Sequence, residues 1–344
     1  MLADTSGSTT PIADDEGLLS HPLFDHTVLL RTNPSDELYL AVKRIITVRE
    51  TGCVFTGQSR IGKTDALDRV KAMLLQQYPS MCIYSHDAHN QQLPSIRAFF
   101  KHFLATVGHQ EKKGETYDLR ERLVSVLVDD ARTSGTGLVV LFIDEASAML
   151  LADFLFLKDV FNDLSRRGVQ LITILMGQAP DMQCLIDDLI ARGRGDLVAR
   201  FANRVIEFRA FNCLADIWTI LSGIDCHDYP VGSGNSWTRF FLPDAYQTGF
   251  RMIDQSQNFM DAILQSVSGL SSKKVAFPAG ATFFAVRNFF LAATEYDASD
   301  IKLPDDIWMN AVRDSLMHEA IARMHSGHVA RAKPGKSRAQ RAKN

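Results

Sequence analysis

The sequence contains no apolar run approaching the roughly 18 residues needed to cross a bilayer. Its first 17 residues are small, polar and acidic, so they lack the basic and apolar segments of a secretory signal. The five cysteines include no C-x-x-C pair, and two lie in predicted strands, which indicates reduced residues used in packing rather than zinc ligands. These absences argue against a membrane or secreted protein. They predict a soluble chain that works in the cytoplasm, without membrane partners.

Charge is nearly balanced over the whole chain, with a formal net charge of −3, but it is unevenly distributed. The segment from Arg331 to Lys343 carries six bases and no acid, so the rest of the chain is acidic. A basic segment rich in Ala, Gly and Ser is expected to be disordered and suits sequence-independent contact with phosphates. The alternative is a tail that only aids solubility.

A phosphate-loop pattern is the most specific motif in the chain: a glycine, four free positions, then Gly-Lys-Thr. In such a loop, backbone N–H groups point at the phosphates of a nucleotide, here ATP, because glycine permits the close approach. Lys63 is expected on the β- and γ-phosphates and Thr64 on Mg²⁺. The predicted nucleotide-binding residues are Gly57, Gln58, Ser59, Arg60, Ile61, Gly62, Lys63, Thr64 and Asp65.

The surroundings of this loop decide between a nucleotide site and a chance Gly-Lys-Thr on a surface. A β-prone run, residues 52–56, leads into the loop, and apolar residues recur at helical spacing after Asp65. A helix that starts at the loop aims its partial positive charge at the phosphates. The agreement of strand, loop and helix favours the nucleotide site.

Two acids follow a strand that is predicted to be buried on both faces. Residues 138–143 are six consecutive apolar residues, which is typical of a central parallel strand, and Asp144 and Glu145 emerge at its carboxyl end. Asp144 is expected to hold Mg²⁺, and Glu145 to orient and deprotonate the water that attacks the γ-phosphate. The alternative is a pair of acids that caps the next helix.

Gln178 and three arginines are further candidates for contacts with the γ-phosphate. Gln178 ends another apolar strand and is either such a contact or a turn residue. Arg200, with Arg204 as second choice, precedes a short strand, where an arginine commonly reaches the γ-phosphate of a neighbouring subunit; surface salt bridges to nearby aspartates are the alternative. Arg287 is either a sensor arginine or a residue on a helix surface.

The order of these features resembles the AAA+ ATPases, and among them the TniB/TnsC-type regulators of DNA transposition. The loop from Gly57 to Thr64 is similar to the G-E-S-R-x-G-K-T loop of that type, with Gln58 in place of its glutamate. Similar too are the runs 141–146, 176–178 and 197–201. The likeness covers about residues 35–210 and becomes vague beyond them.

The resemblance implies an α/β fold, namely an AAA+ P-loop domain with a parallel sheet flanked by helices, and a C-terminal helical lid. The expected organisation is a disordered N-terminus over 1–20, the ATPase core with a helical extension over 21–210, the lid over 211–325 and a basic disordered tail over 326–344. A last amphipathic helix is predicted over 305–324, from the spacing of its apolar residues.

The resemblance also implies an ATP- and Mg²⁺-dependent homo-oligomer, a ring or filament around duplex DNA, that recruits a transposase and a TniQ-like target-selection protein. The DNA-facing residues carried over from it are Arg97, Lys101, Lys112, Lys113 and Thr116. They suit phosphate contacts, which position a protein on DNA without reading sequence. Two other hypotheses share the ATPase core: a nucleotide-switched scaffold or signalling ATPase that ignores DNA, and a loader of replicative helicases.

Overall fold

The computed structural model of the chain describes residues 15–25, 29–88, 95–268 and 275–331. The strands are β1 (Gly52–Gly57), β2 (Cys82–Asp87), β3 (Leu138–Asp144), β4 (Gln170–Gln178) and β5 (Val205–Glu207). The helices are α1 (Asp15–Ser20), α2 (Pro22–Asp25), α3 (Asn33–Thr47), α4 (Lys63–Gln77), α5 (Ile96–Thr106), α6 (Thr116–Thr133), α7 (Leu151–Arg166), α8 (Asp181–Ala191), α9 (Gly195–Phe201), α10 (Leu214–Cys226), α11 (Trp237–Phe241), α12 (Pro243–Gln247), α13 (Ser256–Ser266), α14 (Ala279–Ala293), α15 (Ile307–Asp314) and α16 (Met317–Arg331). Short 3₁₀ helices span Ala146–Ala148, Met252–Gln255 and Thr294–Tyr296. None of the helices in these ranges is long and apolar enough to cross a membrane.

The chain divides into two compact units. The sheet unit contains residues 34–210 and the chain from Met324 onward, and the helical unit contains the chain up to Asn33 together with residues 211–323. Residues 21–25 and 29–33, which the sequence assigns to the core, belong to the helical unit.

The two ends of the chain also differ from the predicted organisation. Helix α1 occupies part of the segment 1–20 that is predicted to be disordered, and α16 continues to Arg331, so it includes the first six residues of the predicted tail. Residues 1–14 and 332–344 lie outside the described residues.

The sheet unit is built on one five-stranded parallel sheet in the order β2-β3-β4-β1-β5. Every residue of β3 is buried, because the strand is central and covered on both faces. Successive side chains point to opposite faces: Val139 and Leu141 pack in one apolar cluster, and Val140 and Phe142 in the other. The predicted parallel α/β sheet is confirmed.

The helices that flank the sheet follow from local sequence signals. Helix α4 packs Leu67, Val70 and Leu74 into one of the two clusters, three or four residues apart. On the other face, the Ser95 hydroxyl caps α5 by accepting the Ala98 N–H at 3.2 Å. Because all five strands are parallel, their carboxyl ends emerge at one edge of the sheet, where a ligand can bind.

The helical unit has its own core, in which aromatic side chains pack among aliphatic ones. Trp308 stacks between Phe259 and Phe289, with ring centroids 4.2 and 4.0 Å apart. The single helix predicted over 305–324 is wrong, because α15 ends at Asp314 and α16 starts at Met317. Leu316 between them has φ of 55°, a left-handed conformation that breaks the helical hydrogen-bond ladder.

Candidate active site

The phosphate loop connects β1 to α4 at the carboxyl edge of the sheet. Gly57 ends the strand, and a Cβ there would lie 2.7 Å from both the Ile61 Cδ1 and the Phe208 carbonyl oxygen, so only glycine fits. Gly62, just before the helix, has φ of 85°, and Arg60 has φ of 61°, an uncommon value for a residue with a side chain. The local chain therefore turns as a phosphate loop must.

Lys63 is the first residue of α4, and its side chain folds back over the loop. Its Nζ donates to the Gln58 carbonyl oxygen at 2.8 Å, and the residue is only 8% exposed. Burial lowers the pKa of Lys63, while the charges of Glu145 and Asp144 raise it. The Gln58 Oε1 atom is buried beside it without a partner among the described residues.

Thr64 and Asp144 meet directly, although they are 80 positions apart in the sequence. The Thr64 hydroxyl donates to the Asp144 Oδ2 at 2.6 Å, and the Asp144 carboxylate is 7% exposed. A hydroxyl and a carboxylate are oxygen ligands of the kind that Mg²⁺ prefers. This pair of donors fits the ion that the sequence predicts here.

Glu145 follows Asp144 in a left-handed conformation, with φ of 48°. Its backbone N–H donates to the Asp144 Oδ1 at 2.7 Å, which fixes the turn, and its side chain is exposed to solvent. Residues with a side chain that are held at positive φ concentrate at functional sites. The carboxylate is thus presented at the edge of the sheet beside the loop.

Gln178 ends β4 at the same edge. It is the register partner of Gly57, and the Ala179 N–H donates to the Gly57 carbonyl at 2.9 Å. Its own backbone N–H donates to the hydroxyl of Ser147, two residues after Glu145, at 3.4 Å. The end of β4 is therefore joined both to the phosphate loop and to the turn of the acid pair.

Two residues near this edge are missing from the sequence predictions, Ser147 and Asp87. Asp87 ends β2 and is the register partner of Asp144, and the Ala88 N–H donates to the Asp144 carbonyl at 3.0 Å. The position of Ser147 directly after the acid pair was the available signal.

Arg200 is far from the phosphate loop of its own chain. The Thr51 hydroxyl donates to the Arg200 carbonyl at 3.0 Å, at the amino end of β1, whereas the loop lies at the carboxyl end, about 17 Å away at the usual rise of a strand. The guanidinium lies 4.8 Å from the centroid of the Phe161 ring, and its Nη1 is buried without a partner in the described chain.

The neighbouring arginines differ from Arg200 in having carboxylate partners. Arg192, Arg194 and Arg204 pair with Asp188, Asp196 and Glu50 at 2.8, 3.0 and 2.8 Å. Within the described residues, Arg200 makes no ion pair. It is therefore the arginine of this cluster that pairs with no acid of the described residues.

The residues predicted to face DNA lie on α5 and on the turn before α6. Arg97 donates to the Gly114 carbonyl at 2.6 Å, and Arg122 donates to the Glu111 and Lys113 carbonyls at 3.2 and 3.0 Å. These bonds hold the turn in one conformation. Lys112 and Lys113 are exposed, Lys101 is half-buried on α5, and Thr116 begins α6.

Arg287 lies on α14 of the helical unit, while the phosphate loop belongs to the sheet unit. Its Nε donates to the Leu23 carbonyl at 2.6 Å, and burial lowers the pKa of its guanidinium. This arginine thus ties the N-terminal segment to the helical unit.

Residues 47–183 match the family model described as an AAA domain. Among curated proteins, none matches the sequence. Among solved structures, the chain is similar to the ORC2 protein of Aeropyrum pernix, with 11% identity, 86% of this chain and 71% of that chain covered, and a TM-score of 0.52. It is also similar to Drosophila ORC bound to DNA, with 12% identity, 88% of this chain and 72% of that chain covered, and a TM-score of 0.48. A further similar structure is domain III of the Thermotoga maritima replication initiation protein DnaA, with 14% identity, 89% of this chain and 98% of that chain covered, and a TM-score of 0.43.

The AAA-domain match spans the phosphate loop and the acid pair. The likeness to ORC2 shows that the same fold extends over most of the chain. The sheet order, the loop that carries Lys63 and Thr64, and the adjoining Asp144 and Glu145 agree with both findings. This chain is an ATPase with the AAA+ P-loop fold.

Proposed function

We propose that this ATPase is a DNA-transposition regulator of the TniB/TnsC type. In its ATP-bound state it assembles as a ring or filament on duplex DNA and recruits a transposase and a TniQ-like target-selection protein, and hydrolysis dismantles the assembly. The observation that carries the assembly is the position of Arg200, unpaired by acids and remote from its own phosphate loop. The transposition role rests on the Ser59-Arg60 loop resemblance.

The residues of the site have the following proposed roles in hydrolysis. The loop N–H groups and Lys63 bind the phosphates, and Lys63 exchanges its bond to the Gln58 carbonyl for phosphate oxygens. Thr64 and Asp144 would hold Mg²⁺, which when bound neutralises charge on the β- and γ-phosphates. Glu145 accepts the proton of the attacking water as the bond between the γ-phosphorus and the bridging oxygen breaks and ADP leaves.

Arg200 completes the site of a neighbouring subunit in this proposal. The residue is half-buried and its guanidinium is paired with no acid among the described residues, so its charge can serve an anion of a neighbouring subunit. The Phe161 ring holds it through a cation–π contact, which fixes the direction in which it points. An arginine that reaches a γ-phosphate from the next subunit raises the hydrolysis rate by about 10³–10⁵-fold in related systems.

DNA contact is assigned to a narrow strip that includes Arg97, Lys101, Lys112, Lys113 and Thr116. The turn is held by arginine-to-carbonyl bonds, so the exposed lysines can meet phosphates without first being ordered. Glu111 and Glu115 lie in the same turn, which limits the positive surface to a strip. Several subunits in a row would therefore be needed for firm binding, because each adds only a few phosphate contacts.

Electron microscopy tests this proposal directly. We expect rings or filaments when the chain is mixed with duplex DNA and a slowly hydrolysed ATP analogue, and none when either is omitted. Lys63→Ala should abolish them, because the phosphates lose their cation. Particles that remain monomeric with both ligands present would refute the proposal.

A helicase loader is the second candidate function. It is compatible with the fold that the chain shares with ORC2, a protein solved as ADPNP–ADP complexes. Pull-downs with a replicative helicase and with a transposase separate the two, since each candidate predicts retention of only one partner. A scaffold ATPase without a DNA role predicts an ATPase rate that is the same with and without duplex DNA at low and at moderate salt.

A further inference from the structure

The helical unit contains a groove of about 420 Å³ between α13 and the segment that leads into α15. The side chains of Ile301, Leu303 and Trp308 form an apolar part of its lining, here called the floor, beside polar side chains such as Gln255 and Asn258. Its volume lies within the usual range of ligand pockets in proteins, about 300–1,000 Å³. No step of ATP binding or hydrolysis proposed above uses it.

The rim of the groove has charge of one sign. Asp261 and Asp305 line it, and no lysine or arginine does within the described part of the chain. Lys302 lies between two floor residues in sequence, but its side chain is 86% exposed and faces Asp300 at 3.7 Å. The lining therefore favours a ligand whose side chains have apolar stems and positively charged ends.

The floor is fixed in shape before any ligand arrives. Trp308 is held between two stacked phenylalanine rings, and its indole N–H donates to the Gln255 Oε1 at 3.2 Å. The same Oε1 accepts the Asn258 side-chain N–H at 3.2 Å. A preformed floor lowers the entropy cost of binding a flexible segment.

We propose that this groove binds the basic segment of the chain itself, residues 332–344, which lies outside the described residues. That segment carries Lys333, Lys336, Arg338, Arg341 and Lys343 and no acid. Long lysine and arginine stems pack along apolar surface while their charged ends reach acids at the rim. Asp261 and Asp305 receive these ends.

The segment is long enough to reach the groove. The first turn of α16 lies beside one end of it, because His318 Nδ1 is 2.8 Å from the carbonyl oxygen of Ser266, the residue that follows the lining residue Gln265. From His318, α16 continues for about 20 Å to Arg331 at the helical rise. The 13 residues of 332–344 span up to about 45 Å when extended, so they can fold back over that distance.

Limited trypsin digestion of the full chain tests the proposal, because the segment offers four cleavage sites that the groove would protect, after Lys336, Arg338, Arg341 and Lys343. Asp261→Lys/Asp305→Lys should release peptides of residues 332–344 about tenfold faster than the unmodified chain, since attraction at both acids becomes repulsion. Glu295→Lys/Asp314→Lys is the matched control: it changes two exposed acids of the same unit that do not line the groove. Moderate salt should also speed release from the unmodified chain.

Photocrosslinking gives a second readout that does not depend on any groove variant. A photoreactive phenylalanine analogue at Ala339 of the otherwise unmodified chain should form crosslinks to groove residues such as Leu303 or Gln265, identified by mass spectrometry. Crosslinks within one chain or between two chains both support the proposal. Equal release rates in the groove variant and its control, or crosslinks only to surfaces outside the groove, would overturn it. Neither readout requires DNA or transposition activity.

Discussion

Glu145 combines an exposed carboxylate with a backbone conformation that is unfavourable for its residue type. Two hydrogen bonds hold the turn in place. The Glu145 N–H donates to the Asp144 carboxylate, and the Glu145 carbonyl accepts the Ala148 N–H at 2.8 Å. The conformation thus persists because the surrounding structure fixes it. A mutation that keeps the shape of this side chain will test its chemistry alone.

Glu145→Gln should lower the rate of ATP hydrolysis by about 10²–10⁴-fold, because the amide cannot accept a proton from water. ATP binding should remain, since the loop, Lys63 and Thr64 are unchanged. Steady-state ATPase rates and equilibrium binding of a fluorescent ATP analogue measure the two effects. A variant with near-normal turnover would show that another group is the base.

His21 is a buried histidine among aromatic rings of the helical unit. Tyr229, Trp237, Phe240 and Phe241 surround it, with ring centroids 4.6–5.1 Å away. Its Nδ1 accepts the Leu23 N–H at 3.1 Å, and its Nε2 has no partner among the described residues. Burial disfavours the charged ring and lowers the pKa of His21 to about 4.

Stability should therefore depend on pH through His21. The unfolded chain takes up a proton near pH 6.5, whereas the folded chain resists it until about pH 4, so stability is complete above 6.5 and falls between the two values. At pH 5 the loss is about 2 kcal/mol. Chemical denaturation at pH 7.5 and 5.0 should show a smaller difference for His21→Phe than for the unmodified chain. His102→Gln, at an exposed histidine, is the control and should keep the full difference.

At the scale of elements, the start of β1 is packed tightly against the end of α9. A Cβ on Gly52 would lie 2.6 Å from the Thr173 Oγ1, 2.7 Å from the Arg200 carbonyl oxygen and 2.9 Å from the Phe201 Cα. Two of these three atoms belong to the backbone and cannot rotate away. This contact sets the position of Arg200 relative to the sheet.

Gly52→Ala should therefore destabilise the chain by about 1–3 kcal/mol, as overpacking in a core does. It should also lower ATPase activity of the assembled protein, since the displaced α9 carries Arg200. Gly195→Ala is the matched control in α9, because a Cβ there has no atom within 4 Å and should leave stability nearly unchanged. Thermal unfolding of both variants checks the difference, and equal melting temperatures would contradict it.

The elements that form the site could be predicted because each is fixed by local sequence. The loop needs glycine at both ends, and β3 needs apolar residues on both faces, so the positions of Lys63, Asp144 and Glu145 relative to the sheet follow from the pattern. Features set by tertiary contacts could not be predicted. The packing of residues 15–33 with the helical unit depends on His21 and on the Arg287 bond to Leu23, which leave no periodic pattern.

At the scale of the whole molecule, the residues of the hydrolytic site proposed above lie in two places on the chain. The loop and acid pair lie at the carboxyl edge of the sheet, and Arg200 lies at the opposite end of β1. A parallel sheet keeps these two edges apart by the length of its strands, so a single chain cannot bring them together without unfolding β1. If Arg200 completes the site of a neighbouring subunit, as proposed, activity should depend on protein concentration.

Mixing two inactive variants tests this division of the site. Glu145→Gln removes the base but keeps Arg200, and Arg200→Ala removes the arginine but keeps the base. If Arg200 acts on the neighbouring subunit, an equal mixture contains intact sites at about one quarter of its interfaces, and ATPase activity should return to about a quarter of the unmodified level. The control mixture pairs Glu145→Gln with Thr64→Ala, which damage the same half of the site and should not complement each other. If the first mixture is no more active than its components, Arg200 acts within its own chain or only in packing against Phe161, and the proposed shared site is wrong.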